Sequence, residues 1–341
     1  MTSQGYLTLA FGPQRYRRMA IALARSLRYH GATKALCIVT DAAGLADPLI
    51  RKYYDLRIPL RPEYGKSIEQ KLALDLYSPF DDTIFIDSDC IAYRNIDSLW
   101  HGELVECDFV ALVRGRYSAG FKHPAYKATA FTFRALGIES IPEFNGGLYF
   151  FRKGRHSKRV FEKAREIFQS RERYGFKPHK GAAANDEALF GLSLAVHGFD
   201  KALALSDGSI MVTARGKLQN YFGINVLDGR SAFIRKGKAV EPAIIHFNCE
   251  CQIYYVFMRE IRRLEAISNG IPRYLMAIPS VLALIDYAAI RLSQQIKRQR
   301  GEIQRLGPRA ILPTMVRRVL GIADRTKENP INAFGGDIAP R

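Results

Sequence analysis

The chain has 341 residues, 48% of them hydrophobic and 25% charged, with 51 Lys+Arg against 33 Asp+Glu and a net charge of +18. This composition excludes a disordered or collagen-like chain and supplies apolar side chains for one large core, or for a core domain with an appendage. The positive surplus favours anionic partners, but nucleotide diphosphates, phosphorylated glycans, anionic lipid and nucleic acid all qualify, so charge alone does not choose.

The opening MTSQGYLTLAFG lacks a charged region followed by an apolar one, so no signal peptide is expected. Short β-branched or aromatic runs predict strands at 6–11, 35–40, 83–88, 108–113, 147–151 and 243–247. Between them, periodicity predicts helices at 14–29, 66–78, 156–169 and 186–197. In the first helix Met19, Leu23 and Leu27 form a stripe, with Arg17, Arg18, Arg25 and Arg28 off it. Such alternation argues for an α/β fold, an open and largely parallel sheet with helices on both faces. Ligands of such sheets bind outside the carboxyl ends of the strands, so strand-ending residues are the ones to inspect.

After about residue 255 the composition shifts. From Arg259 to Arg318 there are twelve Lys/Arg against four Asp/Glu, and Val281, Ile285, Ala288, Leu292 and Ile296 fall on one helical face. The chain therefore divides into a main domain at 1–257, a basic amphipathic helical region at 258–320 and a flexible tail at 321–341. No run reaches the ~20 uninterrupted apolar residues of a spanning helix. The best stretch, 274–290, is interrupted by Pro279 and Asp286. A basic helix with an apolar face suits an anionic membrane surface, here through 259–318. A helical cap on the main domain, or a dimer contact, accounts for it equally well. The odd set of five cysteines (Cys37, Cys90, Cys107, Cys249, Cys251) reads as reduced thiols in the cytoplasm, and Cys249-x-Cys251 lacks the second pair of a zinc site. With no zinc-finger spacing, RNP-like strand or compact basic recognition helix, no nucleic-acid partner is expected.

The strongest local signal is DDTIFIDSDCIAYRNIDSLW at 81–100, where an apolar strand runs directly into Asp87-Ser88-Asp89. Two carboxylates one residue apart at a strand end suit a hard divalent cation, Mn²⁺ or Mg²⁺, with positions left for diphosphate oxygens. Solvated turn residues are the other reading of the same pattern.

At these residues the sequence resembles the retaining glycosyltransferases of the glycogenin and bacterial galactosyltransferase type, family 8. The family's landmarks follow in order over roughly residues 6–248. An opening strand and helix (6–27) carry Tyr16 nearest to the family's uracil-stacking aromatic residue. Lys71 matches a basic residue sixteen positions before the D-x-D, and NIDSLW (95–100) matches the element after it. FNGGLYFF (144–151), NDEALF (185–190) and IIHF (244–247) complete the set.

The resemblance implies a GT-A, Rossmann-like fold with a mixed, mainly parallel sheet, and a basic helical appendage beyond it. It implies a nucleotide-sugar donor, a UDP-sugar, and a glycan or lipid-linked acceptor. Asp87, Asp89 and His246 would hold the metal, and Tyr16, Lys71, Ser88, Asn145, Gly146 and Gly147 the donor. Asp186 and Glu187 would lie beneath the anomeric carbon. The cytoplasm, or the inner face of its membrane, is the expected location. The segment 112–140 fits no landmark and is the expected acceptor-side loop.

Two departures stand out. Glu187 takes the place of the family's glutamine, and a true carboxylate there makes a double displacement chemically more plausible. After His246 the family's lysine-bearing element is absent, since the chain reads FNCECQIYYVF. The diphosphate must then rely on the metal, on Lys71, or on a cation from elsewhere, such as Lys236 or Lys238. The alternatives to catalysis on a sugar are another metal-dependent nucleotide-phosphate enzyme, which would carry a Gly-rich loop after strand 6–11, and a non-catalytic sugar- or nucleic-acid-binding relative.

Overall fold

The computed structural model describes residues 3–306 apart from 102–106, 179–183, 199–207, 216–220, 222, 236 and 249–254, and leaves out the side chains of residues 114, 291 and 293–306. Lys236, Cys249, Cys251 and the tail at 321–341 therefore lie outside the described residues. By its contacts the chain forms two compact units, Met1–Leu284 and Ile285–Arg341.

The central sheet has six strands. In chain order these are β1 (Gln4–Ala10), β2 (Ala35–Thr40), β3 (Leu56–Pro59), β4 (Asp82–Ile86), β6 (Phe109–Ser118) and β7 (Ser140–Arg152). Their spatial order is β3-β2-β1-β4-β7-β6, with the first four parallel and β7 antiparallel to both neighbours. This is the mixed, mainly parallel sheet expected from the sequence. Alternate residues of one strand enter different cores, as a period of two requires. Leu7, Leu9 and Phe85 pack on one face, while Tyr6, Ala10, Ile84 and Ile86 pack on the other. A second, three-stranded sheet pairs β5 (Cys90–Ala92) with β11 (Ile244–His246) and β11 with β8 (Met211–Thr213). Beside it, β9 (Phe233–Arg235) and β10 (Lys238–Val240) form a hairpin.

The first helix, α1, spans Gln14–Tyr29 as its periodicity predicts, and buries Met19, Leu23 and Leu27. Arg25, off that stripe, is buried as well, with its guanidinium 5.0 Å above the Tyr53 ring. The helix expected at 66–78 is a 3₁₀ turn at Ile68–Ala73 followed by one α turn, Leu74–Tyr77. Gln70 there is fully buried and its amide donates to the carbonyls of Arg61 (2.9 Å) and Gly65 (2.5 Å), tying the segment to the preceding loop. Helices Arg155–Gln169 and Asp186–His197 pack together under the β7 side of the sheet, where Phe161 and Phe190 meet edge-on. Asn185 caps the second, its side chain accepting from the Ala188 amide at 2.9 Å.

NIDSLW forms a structural knot. Asp97 accepts from the Tyr6 hydroxyl (2.7 Å) and from both the amide and the hydroxyl of Thr33 (2.7 and 2.6 Å), while Trp100 donates to Tyr6 at 2.9 Å. It joins β1 to the α1–β2 connection. Helix Tyr255–Ser268 buries Val256, Phe257, Ile261 and Leu264 in one cluster with Met19 and Ala22 of α1, and the 257/258 division falls within it. A long helix, Ala277–Leu306, follows.

Candidate active site

The strand order changes direction between β1 and β4, so the carboxyl ends of these two strands open a crevice. The loop Phe11-Gly12-Pro13 leaves β1 there, and Asp87-Ser88-Asp89 leaves β4. Asp41 fixes the first loop by accepting from the Gly12 amide at 2.7 Å. The second is held by the Asp87 amide, which donates to the Gly147 carbonyl at 2.9 Å, and by the Phe247 amide, which donates to the Asp89 carbonyl at 2.9 Å.

Strand β7 supplies the floor. Its pairing with β6 jumps from Tyr149 to Asn145, so Gly146, Gly147 and Leu148 bulge out of the ladder. A side chain on Gly147 would place its Cβ 2.6 Å from His246 Nδ1, and one on Gly146 would lie 3.0 Å from Asp186 Oδ2. Glycine at 147 therefore lets the imidazole lie directly on the strand.

The charged groups form two linked sets. Lys71 Nζ lies 2.6 Å from Asp87 Oδ2 and 3.1 Å from Asp186 Oδ2. Burial would neutralise this lysine, but Asp186 and Asp87 outweigh it and hold its pKa well above the ordinary value. In the second set His246 Nε2 lies 3.2 Å from Asp89 Oδ1. Burial lowers the imidazole pKa and the carboxylates of Asp89 and Asp87 raise it, with a net upward result. Its Nδ1 lies 3.4 Å from the Thr213 hydroxyl, which accepts from Asn145 Nδ2 at 3.0 Å. Glu187 Oε1 accepts from the Gly146 amide at 3.1 Å.

Asp89, Cys90 and His246 bring one donor atom each within 4.8 Å of one another. The 3.2 Å between Asp89 and His246 is close to the roughly 3 Å between neighbouring ligands of an octahedral ion bound at about 2.1 Å, so this pair fits a divalent cation. Cys90 fits less well. Burial, then Asp89 and Asp87, push its thiol well above the ordinary value, and a protonated thiol is a poor ligand for a hard ion. Asp87 is not one of this trio, and its Oδ2 pairs with Lys71.

The cleft has two lobes that share Ser67, Ile68, Lys71, Asp87 and Asp89. One, of about 500 Å³, is walled by Leu9–Pro13, Tyr16, Lys66 and Ser88. The other, of about 460 Å³, is walled by Tyr117, His123, Glu143, Gly146, Asp186, Glu187, Thr213, Arg215 and His246, among others. The structure thus brings Tyr16, Lys71, Asp87, Ser88, Asp89, Gly146, Asp186, Glu187 and His246 to one cleft. Asn145 and Gly147 lie beneath its wall, with both ends of the Asn145 amide engaged internally by Thr213 and the Gly147 amide. Tyr16 is half-buried, with the Arg15 guanidinium 4.8 Å above its ring. Of the expected loop 112–140, the first part is strand β6 and residues 129–136 are helical, while Tyr117 and His123–Ala125 reach the cleft. Sequence reasoning missed Thr213, Arg215 and Glu143. Lys238 lies exposed in the β9–β10 hairpin and does not line the cleft.

No family model and no curated protein matches the sequence. Solved structures resemble it at low identity. WbbM, a bifunctional glycosyltransferase, superposes with a TM-score of 0.49 at 14% identity over 76% of this chain, which spans 50% of that protein's length. The galactosyltransferase LgtC, in complex with donor and acceptor sugar analogues, gives 0.46 at 13% identity over 79% of this chain and 98% of its own. Mouse xyloside xylosyltransferase 1 gives 0.43 at 14% identity over 73% and 99% respectively.

Proposed function

We propose that the protein is a metal-dependent glycosyltransferase of the GT-A kind, which moves a hexose from a UDP-sugar to a glycan or lipid-linked acceptor with retention. The observation that carries this reading is the junction of the two lobes. Asp89 and His246 stand there as a cation-fitting pair, Lys71 lies beside them, and two further carboxylates lie across the Gly146–Gly147 bulge. In this reading the lobe at Tyr16 takes the nucleoside, and Ser88 and Gly146 border the donor's phosphate and sugar. Asn145 and Gly147 position the wall, and Tyr117 and His123 face the acceptor. Bound by Asp89 and His246, with Asp87 alongside, Mn²⁺ or Mg²⁺ would supply Lewis-acid stabilisation of the departing diphosphate.

Of the two carboxylates, Asp186 pairs with Lys71, whereas Glu187 accepts from the Gly146 amide and has no lysine or arginine paired with it among the described residues. Glu187 is therefore the nucleophile of the proposed mechanism. Its oxygen forms a bond to C1 as the C1–O bond to the β-phosphate breaks and the electron pair leaves with UDP. The acceptor hydroxyl then displaces Glu187 from the opposite face, losing its proton to the diphosphate, and two inversions give retention.

The test is UDP release from UDP-glucose, UDP-galactose and their N-acetyl forms, with Mn²⁺ or EDTA. Metal-dependent release that disappears in Asp89→Ala is the expected result. Absence of both binding and release with metal present would reject the assignment. Undiminished turnover in Glu187→Gln would remove Glu187 as nucleophile and leave the transferase reading standing.

A lipid-linked acceptor is favoured by a separate feature. Within the first unit Tyr274 is 82% exposed, and Ile278, Val281 and Leu284 are each more than half exposed. The stretch Arg273–Ile290 has a mean hydropathy of 1.4 and only 11% of it is buried, so by length and composition it could cross a membrane despite Pro279 and Asp286. We read it as resting on an anionic bilayer surface.

A further inference from the structure

The lobe facing Tyr117 is lined by Asp87, Asp89, Glu143, Asp186 and Glu187, with Lys71 and Arg215 as its cationic side chains. Lys71 is committed to Asp87 and Asp186. Arg215 is not committed: among the described residues no carboxylate pairs with its guanidinium, although five carboxylates share the cleft with it.

Its main chain, by contrast, is firmly placed. Strand β8 runs parallel to β11 with Thr213 opposite His246, and the Ala214 amide donates to the His246 carbonyl at 2.8 Å. The buried Tyr221 hydroxyl then grips Arg215 at both ends, accepting from its amide at 2.7 Å and donating to its carbonyl at 2.8 Å. An exposed cation is thus carried on a fixed backbone two residues beyond Thr213, beside the Asp89–His246 pair.

We infer that Arg215 binds the diphosphate of the nucleotide-sugar donor and takes up part of the charge that develops on it as the C1–O bond breaks; this rests on the transferase reading of the cleft. A planar guanidinium offers several donors to phosphate oxygens, and its charge-assisted bonds strengthen as the leaving group becomes more negative. Arg215 thereby supplies, from the strand beside His246, the cation that the segment following His246 lacks as far as it is described. An acidic group on the acceptor is the other source of the same oxyanion chemistry.

The experiment uses the full chain carrying Arg215→Gln or Arg215→Lys, each shown to melt like the parent protein. Each is titrated with UDP, UMP and uridine in the presence of Mn²⁺. Arg215→Gln should weaken UDP binding about 10- to 100-fold, the scale of one charge-assisted hydrogen-bonding group. Uridine binding should be unchanged, turnover of the UDP-sugar should fall, and Arg215→Lys should restore part of both losses. Unchanged UDP affinity and donor hydrolysis, with a raised KM for acceptor alone, would place Arg215 on the acceptor and overturn the inference. If the parent protein binds neither UDP nor any UDP-sugar, the transferase reading fails first and takes the inference with it.

Discussion

Two residues, Gly147 and Asp97, separate what the cleft needs from what the fold needs. In Gly147→Ala the new methyl would fall 2.6 Å from His246 Nδ1, within a strand paired on one side to β4. The imidazole is the freer of the two and should move, drawing Nε2 away from Asp89. Mn²⁺ affinity, measured by calorimetry, should drop about tenfold or more, as is usual when a ligand's support is disturbed. Asp97→Ala should do the reverse. It removes the acceptor of the buried Tyr6 hydroxyl and of the Thr33 amide, at about 1–3 kcal/mol in urea unfolding, while leaving Mn²⁺ affinity intact. Burial raises the Asp97 carboxyl, but the Thr33 and Tyr6 hydrogen bonds outweigh it and leave the pKa below its ordinary value. Its contribution is therefore fully present above the unfolded value of about 3.9, and is lost as pH falls through the lower folded value. The deficit of Asp97→Ala should accordingly shrink in acid. A deficit independent of pH would show that the hydrogen bonds to the ionised form are not its source.

At the scale of elements, the cleft wall that carries Tyr117 and His123 has its own pH signature. Burial depresses His123 to about 4, with Glu143 opposing, and its Nδ1 accepts from the Ala125 amide at 3.2 Å as a neutral imidazole must. An unfolded histidine titrates near 6.5, so between about 6.5 and 4 the unfolded chain takes up a proton that the folded one refuses. Stability should fall across that window as pH is lowered, and His123→Gln should flatten the Tm-versus-pH curve there; an unaltered slope would remove His123 as the cause. This wall also marks the limit of what the sequence makes legible. Helix α1, the helix beginning at Asp186 and the strand running into Asp87 depend on neighbours a few residues away, and pattern alone finds them. The 3₁₀ turn at Ile68–Ala73 does not, since Gln70 answers to carbonyls of the preceding loop and to the Tyr77 hydroxyl. The bulge at Gly146–Gly147 exists only in the register between β6 and β7, and Thr213 reaches Asn145 across 68 residues. NIDSLW was visible as a landmark, yet its role in tying Tyr6 to Thr33 needs three separated segments in place.

For the whole molecule the question is where the +18 charge acts. A cleft with more carboxylates than cations does not account for it, and the excess lies in the surface and the basic C-terminal region. Exposed Tyr274, Ile278, Val281, Leu282 and Leu284 beside that basic sequence combine the two terms that bind an interfacial helix: apolar burial and attraction to acidic headgroups. The full chain should therefore sediment with vesicles of phosphatidylglycerol mixed with phosphatidylcholine, and less with phosphatidylcholine alone. Added salt should weaken but not abolish the binding, because screening acts on charge and leaves apolar burial intact. Val281→Asp combined with Leu284→Asp should release the protein from both kinds of vesicle while UDP-sugar hydrolysis in solution persists, since neither residue lines the cleft. If the double variant binds as the parent does, the apolar face is not the anchor. If binding vanishes at moderate salt in the parent as well, the attraction is electrostatic only, and the helix face is left for a protein partner or a second copy of the chain.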